Sequence, residues 1–268
     1  MTDVAIPSAV YRLPGLGPLF AGQVRYQLLL MARTPRALFA GLLLPLLLLV
    51  VRSSALKNNP QTEAGLVAGI TVLGVISTAY MTHASGLVTA REAGVLRRWR
   101  ATPLPDWCFF AGRIVATLLA AITSGAVAAG AAVALYGVRL HAGAALSLLV
   151  AVMLGALVWA AIGTAATAVI PTTDSAYPLL AVTYFPVVLL SGVFGSTGGQ
   201  PHWLATLMSY LPAQPIVDAG TRALQHTGGG LALIPGRDLA VLAVWAAASL
   251  LVSRCFFRWD PTRPGHAR

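Results

Sequence analysis

The chain has 268 residues, 57% of them hydrophobic and 10% charged, with a mean hydropathy of +0.77 and a formal net charge of +10. Soluble domains carry about 25% charged residues, so this composition excludes an ordinary soluble enzyme or binding domain. Apolar runs of roughly 20 residues, the length needed to cross a ~30 Å hydrocarbon core, instead predict an all-α polytopic membrane protein.

In chain order, residues 1–36 precede the first apolar run and are too long for a secretory signal. Within them Phe20, Val24, Leu28 and Met31 share one helical stripe, which predicts an N-terminal helix lying in the membrane interface. Span 1 is expected over 37–56, with Pro45 tolerated inside it. Span 2 covers 64–90 without a charge. The stretch 91–105, REAGVLRRWRATPLP, then packs Arg91, Glu92, Arg97, Arg98 and Arg100 between uncharged runs and closes on Pro103 and Pro105. A short helix that receives a driving partner is the expectation here, against the plainer one of a basic loop meeting lipid headgroups.

Span 3 is predicted over 109–138, with Arg113 near its start snorkelling to the headgroups. Span 4 covers 145–170, where Ala156, Ala160 and Thr164 form a small-residue stripe for close helix packing. Residues 171–178 read as a tight turn holding Asp174, followed by span 5 to about 194. The segment 195–236 is rich in Gly and Pro yet keeps Trp203, Leu204 and Leu207. Too broken to cross twice, it predicts re-entrant or interfacial helices. Span 6 covers 238–257, and a basic tail, 258–268, follows.

Charge sets the expected orientation. With the N-terminus inside, thirteen basic residues fall on inner segments and five on outer ones, namely Arg52, Lys57, Arg139, Arg222 and Arg237. Such a bias predicts six spans, cytoplasmic termini, a cytoplasmic 91–105 and an outer 195–236. On a membrane protein the same arginines suit anionic lipid better than nucleic acid, so no nucleic-acid partner is expected.

Several chemistries lack their residues. A P-loop needs GxxxxGK[ST], and the one lysine, Lys57, precedes Asn-Asn-Pro. No HExxH or CxxC run supports a metal site, and Cys108 and Cys255 stand alone. Ser85 lies beside His83, but near neighbours on a helix face different ways, which disfavours an intramembrane hydrolase. Ser191-Gly192 lacks the upstream Gly of a nucleophile elbow. His83, inside span 2, is either a structural histidine bonded to a hydroxyl or a residue of a transport pathway. With almost no buried charge, coupling to protons or sodium loses weight.

The run Arg91-Glu92, Gly94, Leu96, Arg97, Arg100 and Ala101-Thr102-Pro103-Leu104 resembles the segment after span 2 in ABC-2 type transporter permeases. A second region agrees, through Ser191-Gly192-Val193-Phe194, Pro201, Trp203-Leu204, Pro212, Asp218 and Arg222. Gly195-Ser196 stands after Phe194 where the family usually has proline. The resemblance implies a permease subunit without its own ATPase site, in the bacterial inner membrane. It implies a second permease copy, as a homodimer, and separate ATP-binding subunits that carry the ATP and magnesium. Residues 91–100 would be the coupling helix, with Val95, Leu96 and Trp99 as an apolar anchor and the arginines around it. A drug, antibiotic or lipid-like substrate would be exported. The rival expectations are a non-transport docking or assembly subunit and, further off, the hydrolase.

Overall fold

The computed structural model describes residues 15–33, 43–51, 60–102, 105–136, 141–190, 201–225 and 234–260, and all regular structure among them is helical. Five of its helices are long and apolar enough to cross a membrane. The first is compound. Helix α3 (Pro60–Ile76) runs into a π-helical segment, Ser77–Thr82, and on into α4 (His83–Glu92). Proline at the first position of α3 lacks only an N–H that a helix start leaves free anyway. The π-helical segment was not anticipated. It inserts residues into the helical ladder, so the side chains before and after it point along different bearings.

This compound helix is the axle of the bundle. Of its most apolar window 94% is buried, against 11% for the last crossing helix. Around it stand α6 (Asp106–Tyr136), α7 (Ala142–Ala166) and α8 (Thr173–Leu190). The closing helix α11 (Gly236–Phe256) packs chiefly on α7. Asp106, Asp174 and Asp238 each sit in the first turn of their helix, where a negative charge complements the macrodipole.

The small-residue stripe of α7 works as expected. Ala156 and Ala160 are fully buried, and Gly163 brings α7 so close to the axle that a Cβ there would meet the Tyr80 carbonyl oxygen at 3.3 Å. The expected turn over 171–178 is shorter than predicted. Helix α8 begins at Thr173, so Pro178 and Pro186 lie inside it. Proline is tolerable in a crossing helix because neighbouring groups cover the freed carbonyls. A reciprocal cap starts α8: Thr172 Oγ1 accepts from the Ser175 N–H at 3.3 Å, and Ser175 Oγ accepts from the Thr172 N–H at 3.2 Å.

Of span 1 the described part is α2 (Leu44–Val51), which packs on α3. Helix α1 (Leu16–Ala32) carries the predicted stripe, but the stripe faces α6. Phe20, Val24, Leu28 and Met31 are half-buried there, and the deepest residues of that face are Gln23 and Gln27. Arg113 departs from expectation as well. It does not snorkel: α1 covers it, leaving it 3% exposed.

The segment before the last span holds α9 (His202–Ser209) and α10 (Gln214–Gln225), both too short to cross a bilayer. Helix α10 lies against α3 and α7 through Ile216, Val217 and Gly220, where a Cβ would approach Ala68 Cβ to 3.2 Å.

Candidate functional site

The charged stretch after span 2 opens at the end of α4. Arg91 is 2% exposed. Its Nη1 donates to the Thr167 carbonyl at 2.9 Å, and its Nη2 to the carbonyls of Ile170 and, at 3.3 Å, Pro171. Those carbonyls belong to the turn after α7, whose own last carbonyls, from Gly163 to Ala166, accept the N–H groups of Thr167, Ala168 and Val169. The next residue serves the opposite pole. Glu92 Oε2 accepts the Thr173 N–H at 2.8 Å, at the first residue of α8. One dipeptide therefore clamps the α7–α8 turn, a cation on the carbonyl end of one helix and an anion on the amide end of the next.

Arg91 was expected in a ring of arginines turned toward a partner. It is turned inward, where three carbonyls of the α7–α8 turn accept from its guanidinium. Gly94 then reverses the chain. Its φ of +68° is in the left-handed region that glycine enters without strain, and its carbonyl accepts the Arg98 N–H at 3.0 Å.

Helix α5 (Val95–Arg100) follows. Leu96 is wholly buried and packs with Leu87 and Phe109, with Trp99 beside them. The Trp99 and Phe109 rings lie 5.5 Å apart, and Phe110 stacks edge-on with Phe257 and Trp259 past the end of α11. The apolar anchor expected to face a partner is thus seated on the protein's own aromatic cluster. What α5 presents outward is charge: Arg97, Arg98 and Arg100 are exposed, and Arg100 lies 5.3 Å from the Trp259 ring centroid. Val95 is half-buried.

The axle also carries polar groups deeper in the bundle. His83 is buried, with Nδ1 2.9 Å from Thr117 Oγ1 on α6 and Nε2 3.0 Å from Thr164 Oγ1 on α7. Thr164 already gives its hydroxyl proton to the Ala160 carbonyl at 2.8 Å. Nε2 is therefore the donor toward Thr164, and Nδ1 accepts from Thr117. Ser77 Oγ meets the Tyr184 hydroxyl at 2.5 Å, and the Tyr80 hydroxyl meets Thr183 Oγ1 at 2.6 Å. Ser85 does not join His83; its hydroxyl donates to the Thr82 carbonyl at 3.3 Å. Thr164 also borders an apolar cavity of about 560 Å³ between α6, α7 and α11, walled by Leu157, Leu250 and Phe257.

At the other end, Arg222 pairs with Asp238 at 2.5 Å, tying α10 to α11. Gln214 Nε2 donates to Asp218 Oδ1 at 3.0 Å. Burial pushes the Asp218 carboxyl up, against the pull of the Gln214 hydrogen bond and Arg222. Pro212 is buried in the turn before α10, whereas Trp203 on α9 is 67% exposed. Ser191, Gly192 and Phe194 lie outside the described residues.

The sequence pattern of ABC-2 type transporters matches residues 20–224, from α1 through α10. The chain belongs to the ABC-2 type transporter family. It is a multi-pass membrane protein and a permease subunit of an ABC transporter, a family whose membrane subunits lack an ATPase domain and typically partner with an ATP-binding subunit. Comparison with curated proteins gives no match. In the permease, sequence reasoning missed the aromatic cluster, though its signal was present: Trp99, Phe109, Phe110, Phe257 and Trp259 all flank span ends on one predicted side. The Tyr184 and Thr183 bonds to the axle had no such signal, because a tyrosine or threonine in an apolar run has no partner legible in sequence.

Proposed function

We propose that the permease is the membrane half of an exporter that moves a hydrophobic or amphipathic molecule, such as a drug, an antibiotic or a lipid-like compound, out of a bacterial cell. Six spans cross the inner membrane with both termini cytoplasmic, and two copies form the translocating unit. Energy comes from separate ATP-binding subunits, which hold the ATP and magnesium and dock on the arginine face of α5.

One observation carries this reading. Helix α5 offers Arg97, Arg98 and Arg100 to the outside while its inner face packs on α4 and α6 and the preceding Arg91-Glu92 pair is bonded to the α7–α8 turn and the start of α8. A push on that charged face is passed directly to the crossing helices, and nucleotide binding in a partner biases their packing. The apolar cavity beside Thr164 suits a substrate with little charge.

The test is an Arg97→Glu, Arg98→Glu double variant. Both side chains are exposed, so the bundle should keep its thermal stability while co-purification of the ATP-binding subunit and substrate-stimulated ATPase activity are lost. Undiminished stimulation would refute the docking face. A reporter fused after Arg268 should register cytoplasm, and a periplasmic signal would overturn the orientation.

A further inference from the structure

A cavity of about 360 Å³ lies between α1, α4, α6 and the start of α8, at the same end of the bundle as α5. Arg113 forms part of its wall and is itself 3% exposed. Its Nη1 donates to Gln27 Oε1 at 3.0 Å and its Nη2 to the His83 carbonyl at 2.7 Å. Both acceptors are neutral. Among the described residues the one ion pair is Arg222 with Asp238, so nothing there balances the Arg113 charge, and its Nε has no partner. Gly86 makes room for the guanidinium, since a Cβ at that position would sit 2.6 Å from Nη2.

Burying an arginine in a crossing helix costs a few kcal/mol, and such residues mark ligand or ion sites by default. A second, independent group faces the same space. Thr82 lines the cavity, is 8% exposed, and its Oγ1 has no hydrogen-bond partner. A cation and a free hydroxyl on one cavity wall are the donors a phosphate oxygen takes.

The remaining wall distinguishes a lipid from a free anion. Tyr26 and Leu30 line the cavity and are also 46% and 43% exposed, so the space runs out onto the outer face of α1, where Leu16 and Leu29 are exposed too. A liquid water takes about 30 Å³, so a space of this size holds far more than a single ion. An apolar rim beside a buried cation matches a molecule with an acyl chain and a phosphodiester.

We propose that this cavity binds one phospholipid by its phosphodiester group, with Arg113 as the cationic anchor, Thr82 as a hydroxyl donor and the outer face of α1 against the acyl chains. The proposal rests on the membrane placement of the bundle and is independent of what is transported and in which direction. The test is native mass spectrometry of the full-length permease titrated with phosphatidylglycerol, diacylglycerol or inorganic phosphate. The wild type should retain one phosphatidylglycerol per chain at least tenfold more strongly than diacylglycerol. Arg113→Gln should lose that preference. Gly86→Ala, which displaces the guanidinium without removing it, and Thr82→Val should each weaken retention severalfold, and these two decide the matter if Arg113→Gln does not fold. Retention equal to wild type in the folded variants overturns the site. Displacement of the lipid by inorganic phosphate overturns the lipid as its occupant.

Discussion

Replacing Arg91 separates an internal clamp from a partner contact. In Arg91→Gln the carbonyls of Thr167, Ile170 and Pro171 lose a buried charged donor. A hydrogen bond to a charged group contributes about 1.5–3 kcal/mol, and bonds from one guanidinium do not add fully. We therefore expect a loss of about 3–5 kcal/mol. At ~2–4 °C per kcal/mol for a chain of this size, the midpoint of thermal unfolding should fall by about 6–20 °C. The assay is tryptophan fluorescence of the purified permease in detergent during heating, with Arg91→Lys as control. Lysine keeps the charge but lacks the planar fork, so it should recover part of the loss. If Arg91 acts instead as a direct partner contact, Arg91→Gln will melt with the wild type and lose only ATPase stimulation. That result would refute the clamp.

Leu96→Ala should empty a buried site against Leu87 and Phe109 at a cost of about 2–5 kcal/mol and unseat α5. Trypsin should then cut at Arg97 and Arg98 much faster than in wild type, and an unchanged digestion rate would contradict the seating. Asp218→Asn should raise the unfolding midpoint at neutral pH, because the half-buried carboxylate is costly when ionised. Its folded value lies above the unfolded one, so the penalty is complete above the folded value and vanishes as pH falls below the ordinary carboxylate range. A stability gain that persists unchanged under acid would show that charge is not its cause.

The crossing helices were legible because hydrocarbon thickness imposes length and polarity on any segment that spans it. The small face of α7 was legible for a related reason: Ala156 and Ala160 recur on one side. Bearings were not. The π-helical segment Ser77–Thr82 has no compositional mark, yet it decides which neighbours Ser77, Tyr80 and His83 meet. The site was half legible. Spacing correctly grouped Leu96 with Trp99 on one apolar face, but apolarity alone cannot say whether that face meets another protein or the chain's own Phe109. Arg91 and Arg113 were misplaced for one reason. Their acceptors are remote in sequence: the carbonyls of the α7–α8 turn lie 76 to 80 residues from Arg91, and Gln27 and the His83 carbonyl lie 86 and 30 residues from Arg113.

The buried compound helix has a consequence for biogenesis. It leaves the ribosome early, and Ser77 must wait 107 residues for Tyr184. At ~5–20 residues per second that interval is roughly 5–20 s, during which the Ser77 and Tyr80 hydroxyls lack their native partners on α8. A nascent chain stalled before α8 would therefore present a polar stripe to lipid, the kind of unfinished surface that insertion chaperones and membrane proteases can distinguish from a completed permease.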